Sequence, residues 1–426
     1  MLGILLITLA VLLMINMPVA FAVLSASSLY LILSGAAPLT IMIQRMFTGV
    51  DLFVFLAIPF FVLAGLIMQK GGLAERLITF ASLLLDRMTG GFAMATSLAS
   101  LIFASISGSG PATTAAIGGS MLPELERKGY GKEWSVAYIA SSGTMGPIIP
   151  PSITLVLFGA LAGTSISALF IGGIMPGILI GISLMIMAFL RAKKMGIEST
   201  KVKVTNKQLL SAFADALLAI MMPIIIIGGI LFGVFTPTEA AVISVVYALF
   251  VCTVIYRSLD LKTLFTIFTE TASISAVIMI LTANASVFAW ILSVERAPQQ
   301  LIAVINSVTE NKLLILLLIN VMLILIGCFL DTTSALIITV PTMLVLGAAI
   351  DIEPLHMGLI MSTNLAIGMA TPPLGFTLFT ACSIGNVSIT KTIRPILPMI
   401  GIMVLVVLLV TYFPQVFLWL PNLLVN

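Results

Sequence analysis

The sequence predicts an all-α integral membrane protein built from an inverted repeat. Of its 426 residues, 60% are hydrophobic and 8% are charged, whereas soluble domains average roughly 25% charged residues. Two apolar stretches also repeat each other, SSGTMGPIIPPSITLVLFGALAGTSIS from Ser141 and NLAIGMATPPLGFTLFTACSIGNVSI from Asn364. Gly146 matches Gly368, which lies 222 positions later. The composition places the chain in a membrane, and the repeat divides it into two related halves.

Each repeated stretch is long enough to span a bilayer but is interrupted at its centre. Glycine and a Pro-Pro pair, Pro150-Pro151 in one and Pro372-Pro373 in the other, break the helix at matching positions. Backbone without regular hydrogen bonds cannot face lipid, so such breaks occur where they line a polar site within the protein. Interrupted helices at corresponding places in two halves are typical of a transporter's binding site.

The apolar runs predict around ten spans, because a helix needs about 20 apolar residues to cross the hydrocarbon core. Small and polar residues at SISGSGPATTAA and GCFLDTTSALIITVP each lie between two apolar arms, which predicts hairpins that enter the membrane and turn back. Residues 2–14 lack the basic flank and cleavage site of a signal peptide. The predicted elements cover residues 2–14, 18–34, 51–69, 72–88 (amphipathic), 92–122 (hairpin), 134–158 (broken), 168–190, 211–234, 238–256, 264–292, 313–349 (hairpin), 356–382 (broken) and 395–420.

These elements group into five regions. We expect helices of the first repeat at 1–91, followed by its hairpin and broken helix at 92–190. A basic loop and further helices of the second repeat follow at 191–312. The hairpin and broken helix of the second repeat cover 313–394, and a C-terminal transmembrane helix covers 395–426.

The basic residues predict the orientation. If both hairpins return to the side they leave, the outside holds only Arg45, Arg296 and Lys312, which leaves 16 of the 19 Lys and Arg residues inside. Cytoplasmic loops carry such an excess of basic residues. The second broken helix then crosses in the opposite direction to the first, and both termini are predicted to be periplasmic.

The hairpin tips and helix breaks supply oxygen ligands for sodium, because freed carbonyls and hydroxyls suit a hard cation. An acidic residue in a membrane is costly and usually functional, which singles out Asp331, although a structural hydrogen-bonding role is the alternative. The serines of the first tip have close helix packing as their alternative role. One site per repeat is expected, with candidate sodium ligands Ser107, Ser109, Gly143, Gly146, Asp331, Thr332, Thr333, Gly368 and Thr371.

An anionic substrate is expected between the two ion sites, because the N-termini of half-helices carry partial positive charge. The candidate contacts are Ser105, Thr113, Pro150, Ser152, Thr377 and Arg296. Arg296 follows Glu295, and pairing with it is the alternative role. Glu239 follows Pro237 at a predicted helix start, where a carboxylate caps the helix. One histidine, His356, and three dispersed cysteines predict no transition metal, no other cofactor and no enzyme activity.

Several segments resemble one known family over essentially the whole chain: AIPFFVLAG from Ala57, SISGSGPATTAAIG from Ser105, GPIIPPSI from Gly146, TPTEAA from Thr236 and DIEPLHMGLI leading to GMATPPLGF. The chain resembles the large membrane subunit of TRAP (tripartite ATP-independent periplasmic) transporters, and most nearly their sialic acid branch. The resemblance implies the elevator-type fold of the divalent anion/sodium symporters, in which the regions at 92–190 and 313–394 would form a transport domain and the helices at 1–91 and 191–312 a scaffold.

The same resemblance implies sodium-driven import of an organic acid such as sialic acid or another carboxylate across the bacterial inner membrane. Its expected partners are a separate small membrane subunit and a periplasmic substrate-binding protein, with no role for nucleic acid. The alternative function is a stand-alone sodium/dicarboxylate symporter of similar fold.

The orientation can be tested by cysteine labelling in a background that lacks Cys252, Cys328 and Cys382. We expect Lys203→Cys and Lys391→Cys to react only from the cytoplasm, and Lys312→Cys and Glu353→Cys only from the periplasm, because the basic residues place them so. A membrane-impermeant maleimide applied to intact and opened vesicles reports the side. Labelling of positions 391 and 353 from one side would contradict the inversion.

Overall fold

The structure, a computed structural model, describes residues 1–15, 17–85, 87–197 and 205–425, and in these ranges the chain folds into helices and turns without strands. Lys201 and Lys203 of the expected basic loop lie outside the described residues. A 3-10 turn, Phe53–Leu56, leads into α4, and a π-helical turn, Phe250–Ile255, continues α12. The helices are α1 Leu2–Met14, α2 Val19–Ser34, α3 Leu39–Val50, α4 Ala57–Lys70, α5 Leu73–Leu85, α6 Gly91–Ser107, α7 Gly110–Arg127, α8 Lys132–Gly143, α9 Ile153–Ala162, α10 Ile166–Met195, α11 Asn206–Leu231, α12 Pro237–Leu249, α13 Leu261–Val294, α14 Ala297–Val308, α15 Lys312–Phe329, α16 Thr332–Ala349, α17 Pro354–Gly368, α18 Phe376–Gly385, α19 Ile389–Tyr412 and α20 Pro414–Leu424.

Within the described ranges, eight helical segments are long and apolar enough to cross a membrane. The arms of the second hairpin, α15 and α16, are two of them, whereas the arms of the broken helices are shorter. Helix α1, predicted as the first span, has 13 residues. That is about 20 Å at 1.5 Å per residue, shorter than a hydrocarbon core of roughly 30 Å.

The two repeats are interleaved. Helix α2 of the first repeat packs on α13 of the second, and α12 of the second packs on α4 of the first. The same exchange occurs in the hairpin region, where α9 packs on α16 and α18 packs on α7. Each broken helix therefore starts beside the hairpin of its own repeat and ends beside the hairpin of the other, as expected for halves related by inversion.

A buried polar contact joins each hairpin to the broken helix of its own repeat. In the first repeat the hydroxyls of Ser97 on α6 and Ser142 on α8 are 3.1 Å apart. In the second, the Asn364 amide on α17 donates to the Asn320 amide oxygen on α15 over 2.8 Å. All four side chains are almost fully buried. Hydrogen bonds inside a low-dielectric core hold packed helices in one register.

The structure differs from the sequence predictions at several helices. Helices α3 and α14 were not predicted, because each is a short, amphipathic 12-residue segment between longer apolar runs. The predicted single helix at 395–420 is two helices, since α19 ends at Tyr412 and α20 starts at Pro414, whose ring cannot continue a helix. The expected boundaries at 190/191 and 394/395 fall inside α10 and α19.

Close backbone contact at Gly146 gives a test of the packing between hairpin and broken helix. A methyl group at Gly146 would overlap the Ser109 carbonyl, so we expect Gly146→Ala to destabilise the protein by about 1–3 kcal/mol. Gly119→Ala is the matched control, because its methyl group meets nothing within 4 Å. Thermal unfolding in detergent measures both variants. Equal unfolding temperatures would contradict the contact.

Candidate functional site

The first hairpin turns at Gly108 and Ser109. Gly108 has a φ of +60°, which favours glycine, and a β-carbon there would lie 2.7 Å from the Pro151 carbonyl oxygen. The hydroxyls of Ser107 and Thr113 are 2.7 Å apart, and Thr113 donates to the Ser109 carbonyl over 2.8 Å. The tip is therefore tied together by its own hydroxyls and pressed against the break of the first broken helix.

The first broken helix is interrupted between Gly143, the last residue of α8, and Ile153, the first of α9. A cis peptide bond joins Pro150 to Pro151 within this linker. The Ser152 hydroxyl donates to the Pro147 carbonyl over 2.5 Å and accepts the Leu155 N–H over 3.3 Å, so it caps α9. A side chain at Gly143 would overlap the Thr114 hydroxyl on α7, which places the C-terminal end of α8 against the first hairpin.

The second hairpin turns at Leu330 and Asp331. One Asp331 carboxylate oxygen accepts the backbone N–H groups of Thr333 and Ser334 over 3.1 and 3.2 Å, and the other accepts the Ser334 hydroxyl. Asp331 thus caps α16 in the way an aspartate commonly caps a helix. Ser109 holds the equivalent position before α7, 222 residues earlier, but makes no side-chain capping bond.

The second broken helix contacts the second hairpin through backbone. Gly375 in its linker donates to the Cys328 carbonyl over 3.0 Å, and a β-carbon at Gly368 would lie 2.9 Å from the Ile324 carbonyl oxygen. The linker contains a cis bond between Pro372 and Pro373. The Thr377 hydroxyl donates to the Met369 carbonyl over 2.8 Å, and the Thr371 hydroxyl donates to the Ile367 carbonyl over 2.9 Å. Hydroxyl groups therefore satisfy some of the carbonyls at this break.

A cavity of about 400 Å³ lies between the two hairpin tips. Pro147 and Met369 contribute to its floor from the two breaks, and one face of α13 forms the remaining wall. The described residues that line it are Gly108, Ser109, Gly110, Pro111, Pro147, Ile153, Thr154, Ser273, Ile274, Val277, Ile278, Leu281, Asp331, Thr332, Thr333, Ser334 and Met369.

Three helices begin at this cavity: α7 at Gly110, α9 at Ile153 and α16 at Thr332. Their first N–H groups and their dipoles favour negative charge. Asp331 neutralises the end of α16, whereas α7 has no side-chain cap. Among the described lining residues there is no lysine or arginine. The end of the cavity next to α7 can therefore hold an anionic group through backbone N–H groups and hydroxyls.

The structure brings only some of the predicted site residues to the cavity. Of the predicted sodium ligands, Ser109, Asp331, Thr332 and Thr333 line it. The remaining ones lie behind the tips, in the contacts between hairpins and broken helices: Ser107, Gly143, Gly146, Gly368 and Thr371.

None of the six residues predicted to contact substrate lines the cavity. The Ser105 hydroxyl donates to the Ile102 carbonyl within α6. Thr113, Pro150, Ser152 and Thr377 are committed to the tip or the linkers. Arg296 is exposed beyond the end of α13, and Leu281, the last residue of α13 in the cavity, is about 20 Å from that end at 1.5 Å per residue. The alternative role of Arg296, pairing with Glu295, is not seen among the ion pairs of the described residues, and Glu295 accepts a hydrogen bond from Tyr30.

The sequence analysis missed the lining residues of α13 and of the breaks. Ser273 and Ile274 lie in a long apolar helix that carries no distinguishing signal. Thr154, three residues after Pro151, matches Phe376 in the repeat, so the repeat does not mark this position as polar. Glu239 forms the predicted helix cap, because its carboxylate accepts the Thr236 N–H over 2.8 Å. His356 is buried and bonds to the Val410 carbonyl over 2.8 Å. In the described part of the chain, no group of three or more metal-binding side chains occurs.

Two interleaved halves, each with a hairpin and a broken helix that meet at a central cavity, form the architecture of a membrane transporter. The sequence matches the family described as "Tripartite ATP-independent periplasmic transporter, DctM component" over residues 6–416. The chain belongs to this family, the large permease component of TRAP transporters, and is a multi-pass protein of the inner membrane. The family resemblance predicted from the motifs is confirmed.

Three relatives align with nearly all of the chain. It is 41% identical over 97% of its length to the uncharacterised protein YgiK of Salmonella typhimurium, covering 95% of that protein. It is 37% identical over 97% of its length to the sialic acid TRAP transporter large permease SiaM of Vibrio cholerae, covering 96% of it. It is 38% identical over 96% of its length to the isethionate TRAP transporter permease DctMQ of Oleidesulfovibrio alaskensis, and spans 64% of that longer protein.

The fold has a counterpart among solved structures. The YdaH transporter of Alcanivorax borkumensis, described as having an unusual topology, aligns with a TM-score of 0.63 over 89% of this chain and 88% of its own. The sequence identity is 14%, so the likeness concerns the fold alone. The predicted fold class, an all-helical transporter fold with hairpins and broken helices, is confirmed.

Proposed function

We propose that this chain is the large membrane subunit of a sodium-driven importer of an anionic organic acid. The observation that carries the proposal is the cavity between the hairpin tips, where an uncapped helix N-terminus and hydroxyls face a single carboxylate. Such a site offers separate places for an anion and for cations. Membership of an ATP-independent family supports a gradient as the energy source.

Sodium would bind in the contacts between each hairpin and its broken helix. In the first repeat the Ser109 carbonyl lies beside Gly146, just beyond the C-terminal end of α8, and the Ser107 hydroxyl is 3.4 Å from that carbonyl. The Gly143 carbonyl at the end of α8 faces Gly110. Helix C-terminal ends and unwound carbonyls favour cations. In the second repeat the equivalent oxygens come from Asp331, Thr332, Thr333, Gly368 and Thr371.

The acid would bind next to α7. Its carboxylate or sulfonate group would meet the N–H groups of Gly110 and Ala112 in the first turn of α7, close to Ser109 and Thr154. Relatives named for sialic acid and isethionate handle organic acids with different anionic groups. We therefore propose an organic acid as the substrate class, with sialic acid as one candidate.

Two further chains would complete the transporter. The family description names a tripartite, periplasmic system, and a relative is named a large permease protein, which supports a separate small permease and a periplasmic binding protein. We predict few basic residues on the outer surface, so this surface would attract dissolved anions only weakly. A binding protein would overcome this by delivering the acid directly to the surface. Periplasmic termini remain part of this proposal.

Asp331→Asn tests the sodium sites. Asparagine caps a helix about as well as aspartate, so the fold should be kept while the charge facing the cation is lost. We expect the half-saturating sodium concentration for uptake to rise by about tenfold, since a nearby charge contributes at least this much at a partly buried site. Uptake is measured in proteoliposomes across a sodium series.

Asp351→Asn is the matched control. This aspartate is exposed, lies outside the cavity and has a φ of +52°, which asparagine also tolerates. Its sodium curve should match that of the wild type. An unchanged curve for Asp331→Asn at normal activity would remove Asp331 from the ion site.

Dependence on partners distinguishes the proposal from a stand-alone symporter. The acid is first identified by a thermal-shift screen of the partner binding protein with N-acetylneuraminate, isethionate and succinate. With an inward sodium gradient, we expect this chain alone to show negligible uptake at micromolar acid. The small membrane subunit and the loaded binding protein should restore uptake. Strong sodium-driven uptake by this chain alone would favour the stand-alone sodium/dicarboxylate symporter.

A further inference from the structure

A second polar pocket lies far from the central cavity, where α8 and α19 begin and α10 ends. Its volume is about 440 Å³. Gly173 on α10 contacts the first linker at Ile148, and Arg191 in the pocket is 18 residues further along the helix, about 27 Å away at 1.5 Å per residue. The described residues that line the pocket are Trp134, Met187, Leu190, Arg191, Lys194, Arg394, Pro395 and Pro398.

Three basic side chains converge on this pocket. Arg191 and Lys194 lie at the end of α10, and Arg394 lies in the second turn of α19. None of them pairs with a carboxylate among the described residues, and none of the described lining residues is acidic. Three unpaired cations held this close repel one another, so an anion bound between them would stabilise the arrangement.

The Arg191 side chain supplies an independent sign of a missing partner. Its Nε atom is buried and makes no hydrogen bond, although buried polar groups are almost always satisfied. The guanidinium carbon lies 5.9 Å from the centre of the Trp134 ring, close enough for a cation–π contact that orients it. The ring itself is 6% exposed and stacks between two tyrosines. An arginine fixed in this way presents a rigid fork of donors, which matches phosphate oxygens.

The lower part of the pocket is apolar and continues onto the outer surface of the bundle. Met187 and Leu190 line it on α10, where Ile182, Ile186 and Leu190 follow one another at helical spacing and are 44%, 52% and 57% exposed. Exposed apolar side chains on a helix long enough to cross a membrane are expected to face its hydrocarbon. The pocket thus places cations at the predicted cytoplasmic interface, directly above a surface that acyl chains cover.

We propose that this pocket binds the phosphate headgroup of an anionic phospholipid from the cytoplasmic leaflet. Basic pockets between transmembrane helices on this side recognise such headgroups. The apolar surface below the cations favours a lipid over free phosphate, because an acyl chain gains contacts that a soluble anion lacks. The bound headgroup would hold the cytoplasmic ends of α10 and α19, the last long helices of the two repeats, to α8. This site is independent of the sodium and acid sites.

The test compares lipid binding by the wild-type chain with that of a variant in which two of the three basic residues of the pocket are replaced by glutamine. Purified protein in detergent is titrated with phosphatidylglycerol, phosphatidylcholine or inorganic phosphate. Thermal unfolding reports affinity, and native mass spectrometry counts retained lipids. We expect wild type to retain phosphatidylglycerol in preference to phosphatidylcholine. For Lys194→Gln/Arg394→Gln we expect about 30-fold weaker phosphatidylglycerol binding, which is about 2 kcal/mol for two basic residues.

Lys193→Gln/Lys391→Gln is the matched control, because it removes two exposed cations from the same two helices outside the pocket. It should bind phosphatidylglycerol as wild type does. Before lipid is added, the control should unfold at the wild-type temperature and Lys194→Gln/Arg394→Gln at that temperature or above it, because repulsion between the pocket cations is reduced. If Lys194→Gln/Arg394→Gln unfolds at a lower temperature, Arg394→Gln alone is used and should bind about fivefold more weakly. Equal losses in both double variants, equal binding of phosphatidylcholine, or equal stabilisation by millimolar inorganic phosphate would each overturn the lipid assignment.

Discussion

The requirement that every backbone polar group in the membrane has a partner determines how this fold is assembled. Two hairpin turns and two helix breaks release backbone N–H and C=O groups within the membrane. Ser152 donates to Pro147 and Thr377 donates to Met369 within the linkers, whereas Gly375 donates across to Cys328 in the second hairpin. The last bond forms only if the second break lies against its hairpin, so these two elements are positioned together.

Interleaving of the repeats extends this dependence to the whole cavity. Because α9 ends beside the second hairpin and α18 beside the first, neither half can form the cavity without the other. The polar contacts Ser97–Ser142 and Asn320–Asn364 fix each hairpin arm to its own broken helix. The four elements around the cavity are therefore one packed unit, and α13 closes the cavity on its remaining side.

The sequence predicted the parts of this structure where the residue type itself determines whether a helix can continue. Glycine, the Pro-Pro pairs and runs of serine and threonine interrupt apolar segments at Gly146, Gly368, Ser109 and Asp331, and the repeat doubles that signal. Side-chain partners were not predictable in this way. The Ser107 and Thr113 hydroxyls face each other and not the cavity, and this depends on helix rotation. The α13 wall was missed because all faces of a membrane helix are apolar, so periodicity does not mark the one that faces the cavity.

The two hairpin tips are equivalent in the repeat but not in charge. Ser109 and Asp331 occupy the same position before α7 and α16, yet one is neutral and leaves its helix end open, whereas the other is a carboxylate engaged with its helix. If each repeat binds one sodium ion, the two ions experience different electrostatic environments, so the two sites have unequal affinities. Unequal sites fill in sequence, the tighter one first. A departure from symmetry at a single residue pair would thus give the transport cycle an order of loading and release.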